Sequence, residues 1–175
     1  MRRTALWSAG AGVATILCVA ALAFASATVG KAAPALVVQE LSGQDFDLSK
    51  LGGKVVVVSF WATWCPPCRA EMPVLDTIYR RYRGQGLEMI GLSADRPHDR
   101  ADAIKMAQAF SYPEAILSEA QTNDFGQPNS LPLTIVIDRD GIVRFEFTED
   151  KSAVTEASLS DAVIQLLAEH PKAKP

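Results

Sequence analysis

The chain has 175 residues, of which 49% are hydrophobic and 21% charged, a balance typical of one ordinary globular domain. Its formal net charge is −3 at pH 7, and two of its 17 basic residues, Arg2 and Arg3, stand apart at the N-terminus. This acidic balance argues against a nucleic-acid-binding protein, because such proteins usually carry a basic patch on a basic domain.

A long uncharged segment lies near the start of the chain. Residues 4–30 carry no charge, with Arg2 and Arg3 before them and Lys31 after them. Basic residues before a long apolar run are typical of a segment inserted with its N-terminus in the cytoplasm. The run is long enough to anchor the protein in a bilayer, but Ala-Ser-Ala at 25–27 also fits a signal-peptidase site. With either alternative, we expect the remainder to be exported to the periplasm or the extracytoplasmic face of the inner membrane.

These features divide the chain into three parts. We predict a signal peptide or N-terminal membrane anchor with a short linker at residues 1–34, one domain at 35–170 and a flexible tail at 171–175. Cys18 lies within the apolar run and is interpreted as a small apolar membrane residue. Only Cys65 and Cys68 are therefore left in the exported part.

Strand and helix patterns alternate along the exported part. A continuous β-branched run at 55–60 predicts a strand buried on both faces, and Asp-Gly at 140–141 between two strand-like runs predicts a hairpin. The stretch 112–130 shows no clear period. In order, the predicted elements are a hairpin of strands at 35–38 and 45–48, a strand at 55–60, a helix from Pro66 to Gly84 or Gly86, a strand at 87–93, a helix at 99–110, a hairpin of strands at 133–137 and 142–147, and a closing helix containing Leu159, Val163, Leu166 and Leu167. This order predicts an α/β fold with helices covering a central sheet.

The pair Cys65 and Cys68 lies where a hydrophobic strand gives way to a helix. Here Cys65 is predicted to be the N-cap, Pro66 the first helical residue and Cys68 the third. The amide of Cys68 can then point at the Cys65 sulfur, and the helix dipole stabilises a thiolate there. We therefore predict a redox-active disulfide, with Cys65 as the attacking nucleophile and Cys68 as the resolving thiol.

A zinc site is the alternative interpretation of this pair. A structural zinc ion needs four ligands, but the exported part has no second cysteine pair, and His98 and His170 stand alone in the sequence. We therefore expect no metal and no other cofactor.

Glu71 lies three residues after Cys68, one turn further along the predicted helix. A partly buried carboxyl there would have a raised pKa and could relay the proton of Cys68. Alternatively, Glu71 is a solvated first-turn residue that only complements the helix dipole. Pro132 opens a later strand, and its sequence position alone favours an ordinary trans peptide bond.

Two stretches resemble the thioredoxin superfamily, and within it the TlpA/ResA-like branch of membrane-tethered thiol–disulfide oxidoreductases. They are residues 57–73, which include Trp-Cys-Pro-Pro-Cys followed by Glu-Met-Pro, and residues 131–134, Leu-Pro-Leu-Thr, followed by Ile137-Asp138 and Gly141. The resemblance implies a thioredoxin-like fold: a central mixed sheet flanked by helices, an N-terminal β-hairpin and a central insertion within 95–125.

The resemblance also implies roles for individual residues. Pro132 would be a cis-proline facing Cys65, and the Leu131 backbone would hold an extended substrate peptide. Trp64 and Pro66, on either side of Cys65, complete the predicted substrate-binding set. Glu71 matches the acid of this branch, and Ser59 stands where cytoplasmic thioredoxins carry a buried aspartate.

The function that follows is reduction of disulfides in client proteins. Pro66 and Pro67 place no charge between the cysteines, which favours the reducing side of the range of redox potentials. The resemblance implies clients such as apocytochrome c or the cysteines of a copper site, a membrane electron donor, membrane attachment through residues 4–30, and a monomer. The alternatives are a disulfide oxidant or isomerase, a peroxiredoxin-like peroxidase, and a Cu(I)-binding chaperone. Against the peroxidase, Cys65 lacks the Pro-x-x-x-Thr-x-x-Cys pattern that peroxiredoxins carry.

Overall fold

A computed structural model describes residues 27–171 of the chain. Most of the predicted membrane segment, residues 4–26, and the end of the predicted tail, residues 172–175, lie outside the described residues. Within 27–171, no helix is both long enough and apolar enough to cross a bilayer.

Eight strands and three α-helices make up the described part. The strands are β1 (Leu36–Gln39), β2 (Asp45–Asp47), β3 (Val55–Trp61), β4 (Leu87–Ser93), β5 (Glu114–Ile116), β6 (Thr122–Asn123), β7 (Leu133–Ile137) and β8 (Val143–Thr148). The helices are α1 (Pro66–Tyr82), α2 (Arg100–Ala107) and α3 (Glu156–Ala168).

The strands form one large mixed sheet and one small sheet. The large sheet has the order β5-β4-β3-β7-β8, in which β3, β4 and β5 are parallel and β7 runs antiparallel to both β3 and β8. The small sheet has the order β2-β1-β6, with both pairs antiparallel. The predicted α/β fold with a central mixed sheet and an N-terminal hairpin is therefore confirmed.

Two hydrophobic cores lie on opposite faces of the large sheet. Every residue of β3 is buried, and its hydrophobic side chains from Val55 to Phe60 alternate between the two cores, whereas Trp61 belongs to a third cluster. Val55 and Val57 pack with residues of α1 and α3, including Leu75 and Leu159. Val56, Val58 and Phe60 pack with residues of the small sheet, Leu36, Val38 and Phe46. The sheet is thus covered by helices on one face and by the small sheet on the other.

The second helix is shorter than the sequence predicts. We expected it at 99–110, but α2 ends at Ala107 and is preceded by a 3-10 turn at Pro97–Asp99. The chain after α2 is held by Asp76 of α1, whose Oδ1 accepts hydrogen bonds from the Ser111 backbone N–H at 2.7 Å and from the Ser111 hydroxyl at 2.6 Å. This long-range contact holds the chain at Ser111, three residues before β5 begins.

The segment 112–130 contains two strands that its sequence does not reveal. β5 has three residues and β6 has two, too short for a period of two to stand out. Each is stabilised by pairing with a distant strand: β5 with β4, and β6 with β1. The predicted insertion at 95–125 is the region that holds α2, β5 and β6.

The chain before β1 also contacts the large sheet. Gly30 N–H donates to Val143 O at 2.8 Å, Val143 N–H donates to Lys31 O at 2.9 Å, and Ala33 N–H donates to Gly141 O at 2.9 Å. Ile142, which we expected to begin the last strand, instead forms an isolated antiparallel bridge with Ala32. The part of the predicted linker that the structure describes is therefore hydrogen-bonded to the start of β8.

Candidate active site

The two cysteines form a disulfide at the N-terminus of α1. Cys65 is the N-cap residue, with extended backbone angles, and its Sγ accepts a hydrogen bond from the Cys68 N–H at 3.2 Å. Pro66 occupies the first helical position, where a missing N–H leaves no hydrogen bond unmade. The predicted helix frame is confirmed, and it places the positive end of the helix dipole at the Cys65 sulfur.

Most of this disulfide is covered. Cys65 is 3% exposed and Cys68 is 1% exposed, whereas the neighbouring Trp64 is 63% exposed and Pro66 is also exposed. Among the described residues, Trp64 is one of three large hydrophobic side chains that are well exposed to solvent. A partner approaching the sulfurs would therefore meet Trp64 and Pro66 next to Cys65.

Leu131 lies close to the disulfide in space, and Pro132 follows it in the chain, although more than sixty residues separate them from the cysteines in sequence. The Leu131-Pro132 peptide bond is cis, as the resemblance implies and against the trans bond that the sequence position alone favours. Leu131 is partly buried and packs against the cluster that contains Cys65 and Cys68. The structure thus brings together the candidate substrate-binding residues Trp64, Pro66 and Leu131 around the two cysteines.

Glu71 is buried on α1, one turn beyond Cys68, with 8% of its surface exposed. Its Oε1 accepts a hydrogen bond from the Val154 N–H at 3.2 Å, whereas Oε2 is buried without a hydrogen-bond partner. Burial raises the pKa of Glu71 above its ordinary value, the Val154 hydrogen bond opposes this rise, and the negative charge of Glu149 adds to it. Such a carboxyl can hold a proton at a pH at which an exposed glutamate has lost it.

Ser59 is buried on β3 beneath this site. It pairs with Thr134 of β7, and the Thr134 hydroxyl donates to the Ser59 hydroxyl at 3.1 Å. The position therefore holds a neutral hydrogen bond between hydroxyl groups.

Asp95 fixes the loop before the cysteines and was missed in the sequence. Its carboxylate accepts hydrogen bonds from the Thr63 N–H at 2.9 Å, the Thr63 hydroxyl at 2.7 Å and the Ser93 hydroxyl at 2.9 Å. Asp95 lies just after β4, so its link to Thr63, two residues before Cys65, depends on the parallel pairing of β3 with β4. No local sequence pattern signals a contact between residues 32 positions apart.

Replacing Asp95 with asparagine is expected to destabilise this loop and the fold. Asparagine offers one acceptor oxygen where Asp95 uses two, and its NH₂ group would face the donors of Thr63 or Ser93. We expect the free energy of unfolding to fall by about 1–3 kcal/mol, the cost of leaving buried donors unpaired. Urea unfolding of Asp95→Asn beside the wild type measures this difference, and an unchanged midpoint would contradict it.

Glu114 is the second residue that the sequence does not reveal. It lies on β5, 5% exposed, and accepts a hydrogen bond from the Trp61 indole Nε1–H at 2.8 Å. Burial raises the pKa of Glu114 to about 8, against the lowering effects of the Trp61 indole and of the nearby Tyr112 hydroxyl. A carboxyl that is neutral at pH 7 therefore lies beneath the last residue of β3.

Within residues 27–171, no three His, Cys, Asp or Glu side chains lie together in a way that could hold a metal ion.

Known proteins with similar sequences and structures share this arrangement of the fold. The AhpC/TSA family matches residues 29–146. A curated relative from Bacillus cereus, named "Thiol-disulfide oxidoreductase ResA", is 36% identical over 115 residues, which cover 66% of this chain and 66% of the relative. The match thus spans just under two thirds of that relative's length.

Two solved structures are similar across most of the chain. One is described as a putative thiol:disulfide interchange protein DsbE from Chlorobium tepidum. Its sequence is 25% identical to this chain, and the two structures superpose with a TM-score of 0.67. The match covers 82% of this chain and 100% of the Chlorobium protein. The other is described as a secreted thiol-disulfide isomerase from Corynebacterium glutamicum. Its sequence is also 25% identical, with a TM-score of 0.62. The match covers 78% of this chain and 85% of the Corynebacterium protein. The predicted thioredoxin-like relationship is confirmed, and the chain belongs to the AhpC/TSA family of thioredoxin-like proteins.

Proposed function

We propose that this protein is a thiol–disulfide oxidoreductase that exchanges two electrons with the cysteines of client proteins. The observation that carries the proposal is the Cys65–Cys68 disulfide at the N-terminus of α1, where the Cys65 sulfur accepts the Cys68 amide hydrogen bond. The names of the relatives from Bacillus cereus and Chlorobium tepidum support it.

The reaction proceeds by two successive exchanges at sulfur. In the reduced protein, the Cys65 thiolate attacks one sulfur of a client disulfide; a mixed disulfide forms, and the second client sulfur leaves as a thiolate that takes up a proton. The Cys68 thiol then loses its proton and attacks the Cys65 sulfur, which releases the first client sulfur. The client gains two electrons and two protons, and the Cys65–Cys68 disulfide is formed again.

Residues around the disulfide support the proposal that an extended client peptide binds there. Trp64 offers an exposed aromatic ring beside Cys65, and Leu131, from the loop before β7, packs against the cluster that contains the cysteines. An extended peptide can hydrogen-bond to backbone groups such as those of Leu131, while its side chains contact Trp64, Pro66 and Pro132. We propose these four residues as the substrate-binding surface.

Glu71 is proposed to accept the proton that Cys68 loses. It is buried, its Oε2 has no hydrogen-bond partner, and it lies one turn from Cys68 on the same helix. Its raised pKa suits proton exchange near neutral pH better than that of an exposed glutamate.

We therefore expect Glu71→Gln to shift the thiol titration of the reduced protein. Glutamine cannot take up the Cys68 proton, so the rate at which the mixed disulfide is resolved should fall by about 10²-fold near neutral pH. The measurement is the thiol pKa of each cysteine, followed through the ultraviolet absorbance of the thiolate in the wild type and the variant. Unchanged thiol pKa values would contradict the proton-relay role.

We propose that the protein works in the reducing direction on exported clients, such as apocytochrome c or the cysteines of a copper site. Pro66 and Pro67 place no positive charge beside Cys65, so the thiolate is stabilised by the helix end alone. A membrane electron donor would re-reduce the disulfide after each turnover, and the proposed active form is a monomer.

The redox potential tests the direction. At equilibrium with dithiothreitol or glutathione, followed by tryptophan fluorescence, we expect a potential below about −230 mV. A potential above about −180 mV would instead make the protein a disulfide oxidant or isomerase, the activity named for the relative from Corynebacterium glutamicum.

The proposed location is the extracytoplasmic side of the membrane. The uncharged run at 4–30, preceded by Arg2 and Arg3, supports export, and the Corynebacterium glutamicum relative is described as secreted. Fractionation of cells that produce the full chain tests the location. The length of the exported chain, measured by mass spectrometry, distinguishes an uncut anchor from a signal peptide cut near Ala27.

The family also favours a second candidate, a peroxidase, which the residues near Cys65 do not support. In the Pro-x-x-x-Thr-x-x-Cys pattern, the proline and threonine positions would fall on Val58 and Ala62. Both are buried apolar residues, with no hydroxyl group to offer a peroxide. Consumption of hydrogen peroxide at enzymatic rates would favour this second candidate over the first.

A further inference from the structure

Glu114 is a buried carboxyl group that the proposed reaction does not use. Its Oε2 accepts the hydrogen bond from the Trp61 indole, and its Oε1 is buried without a hydrogen-bond partner. A buried carboxyl that pairs with only one donor costs stability, since it has left water without full compensation. We therefore look for a function of Glu114 in its contact with Trp61.

The carboxyl reaches Trp61 only because a glycine lies between them. Glu114 is on β5 and Trp61 is on β3, so the side chain has to cross β4, where its neighbour in the sheet is Gly91. A Cβ atom at position 91 would lie 2.2 Å from Glu114 Oε2, far inside contact distance. Gly91 thus leaves a passage over β4 that any other residue would close.

Trp61 in turn forms part of the buried surroundings of the two sulfurs. It is the last residue of β3, and its side chain belongs to the same cluster as Cys65, Cys68 and Met72. Its backbone is fixed as well, because Trp61 O accepts a hydrogen bond from the Ala94 N–H at 2.8 Å. The only polar atom of its side chain is the indole Nε1–H, which Glu114 holds.

No cation contacts Glu114 among the residues that the structure describes around it. The Tyr112 hydroxyl beside it lies outside hydrogen-bond geometry. Burial raises the pKa of Tyr112, and the charge of Glu114, the approach of that carboxyl to the hydroxyl and the charge of Asp76 add to the rise. Glu114 also borders a groove of about 800 Å³. The titratable and charged groups of this groove are Glu40, Tyr79, Glu88, Arg100, Tyr112 and Glu119. Arg100 is ion-paired with Glu119, so it does not neutralise Glu114.

We propose that Glu114 is a positioning residue for the redox centre: reaching across β4 at Gly91, it fixes the Trp61 indole against the buried side of the Cys65–Cys68 pair. The inference rests on the proposed disulfide exchange. The sulfurs have to come into line for each exchange, and small displacements of their packing slow such reactions. With the indole held, the side chains packed on the buried side of Cys65 and Cys68 keep their positions while the sulfurs form and break their bond.

The first test compares variants by the rate at which dithiothreitol reduces the disulfide at pH 7 in the full chain. Leucine at 114 keeps most of the volume and removes the acceptor, so we expect Glu114→Leu to slow reduction about tenfold. Glu114→Gln keeps an acceptor oxygen for the indole and should restore the rate to within about twofold. Tyr112→Phe, the matched control, removes the neighbouring hydroxyl but leaves the Trp61 contact, and it should react like the wild type.

The second test follows the indole Nε1–H of Trp61 by ¹⁵N NMR, with Trp61→Phe used to assign its resonance. In the wild type, we expect this resonance to titrate with the Glu114 carboxyl, and in Glu114→Gln to stay constant over the same pH range. This titration tests the hydrogen bond between the Glu114 carboxyl and the indole, and the rate measurement tests what that bond does for the disulfide. If Glu114→Leu does not fold, Trp61→Phe replaces it in the rate measurement, and the same tenfold loss is expected.

Equal rates for the leucine variant, the glutamine variant and the wild type would overturn the positioning role, as would an indole resonance that does not titrate. A different result would count against the proposed function. It is that dithiothreitol reduces the disulfide of the wild-type protein no faster than it reduces oxidised glutathione. In that case the indole titration still decides whether Glu114 positions Trp61.

Discussion

Cys65→Ser is expected to abolish disulfide exchange. A serine hydroxyl is not ionised at neutral pH, whereas a thiol at the N-terminus of α1 is stabilised as a thiolate by the helix dipole and the Cys68 N–H. The remaining Cys68 lies within the first turn of α1 and is not the N-cap residue, so we do not expect it to replace Cys65 in attacking a client. We expect the rate of insulin reduction with dithiothreitol as electron donor to fall by about 10³-fold or more, to the level without the protein.

Cys68→Ser is the matched variant, and its expected result is different. Cys65 can still attack a client disulfide, but nothing resolves the product, so a mixed disulfide between Cys65 and the client should accumulate. Non-reducing electrophoresis and mass spectrometry would detect it after incubation with a disulfide-containing protein. Accumulation with Cys65→Ser instead would reverse the assigned roles of the two cysteines.

The second large effect concerns the pH dependence of stability, and its expected source is Glu114. Its pKa is about 8 in the folded protein and about 4.5 in the unfolded chain. Between these values the folded protein keeps the proton and the unfolded chain releases it, so stability falls as the pH rises. Below about pH 4.5 the group has no effect, and above about pH 8 the whole effect is present. A shift of this size corresponds to on the order of 3–5 kcal/mol.

Glu114→Gln is expected to remove this dependence, because glutamine resembles the protonated carboxyl in shape and cannot ionise. Unfolding by urea should show nearly equal stability of wild type and variant at about pH 4.5, and a variant more stable by the stated amount at about pH 8. Glu119→Gln is the control: Arg100 lowers the pKa of exposed Glu119, so its replacement should slightly lower stability at the higher pH. A difference between wild type and Glu114→Gln that does not change with pH would contradict the prediction.

Local sequence patterns predicted the elements that position the disulfide. The β-branched run at 55–60 predicted β3, and the spacing of Cys65, Pro66 and Cys68 predicted a helix that begins with an N-cap cysteine, as the structure has it. The Asp-Gly pair at 140–141 predicted the hairpin of β7 and β8. These features are set by hydrophobic periodicity and by the chemistry of helix ends and turns, which act over a few residues.

The contacts that support the site act over longer distances, and no local pattern indicates them. Asp95 binds Thr63 across 32 positions, and Glu114 binds Trp61 across 53. Each depends on the order of β3, β4 and β5 in the sheet, which short local patterns do not specify. In the sequence, nothing distinguishes Glu114 from a solvated glutamate; its role becomes visible only when the structure places Gly91 beside it. The cis bond at Pro132 likewise followed from the resemblance and not from its position.

The hydrogen bonds between residues 30–33 and the start of β8 affect how a soluble form of the protein should be produced. β8 is the edge strand of the large sheet, and unpaired strand edges are sites at which protein chains aggregate. A truncated protein that starts at 35, the boundary suggested by the sequence, would lose the three backbone hydrogen bonds that Gly30, Lys31 and Ala33 make there. A protein that starts at Ala27 keeps this cover and should give the better-behaved sample for crystallisation.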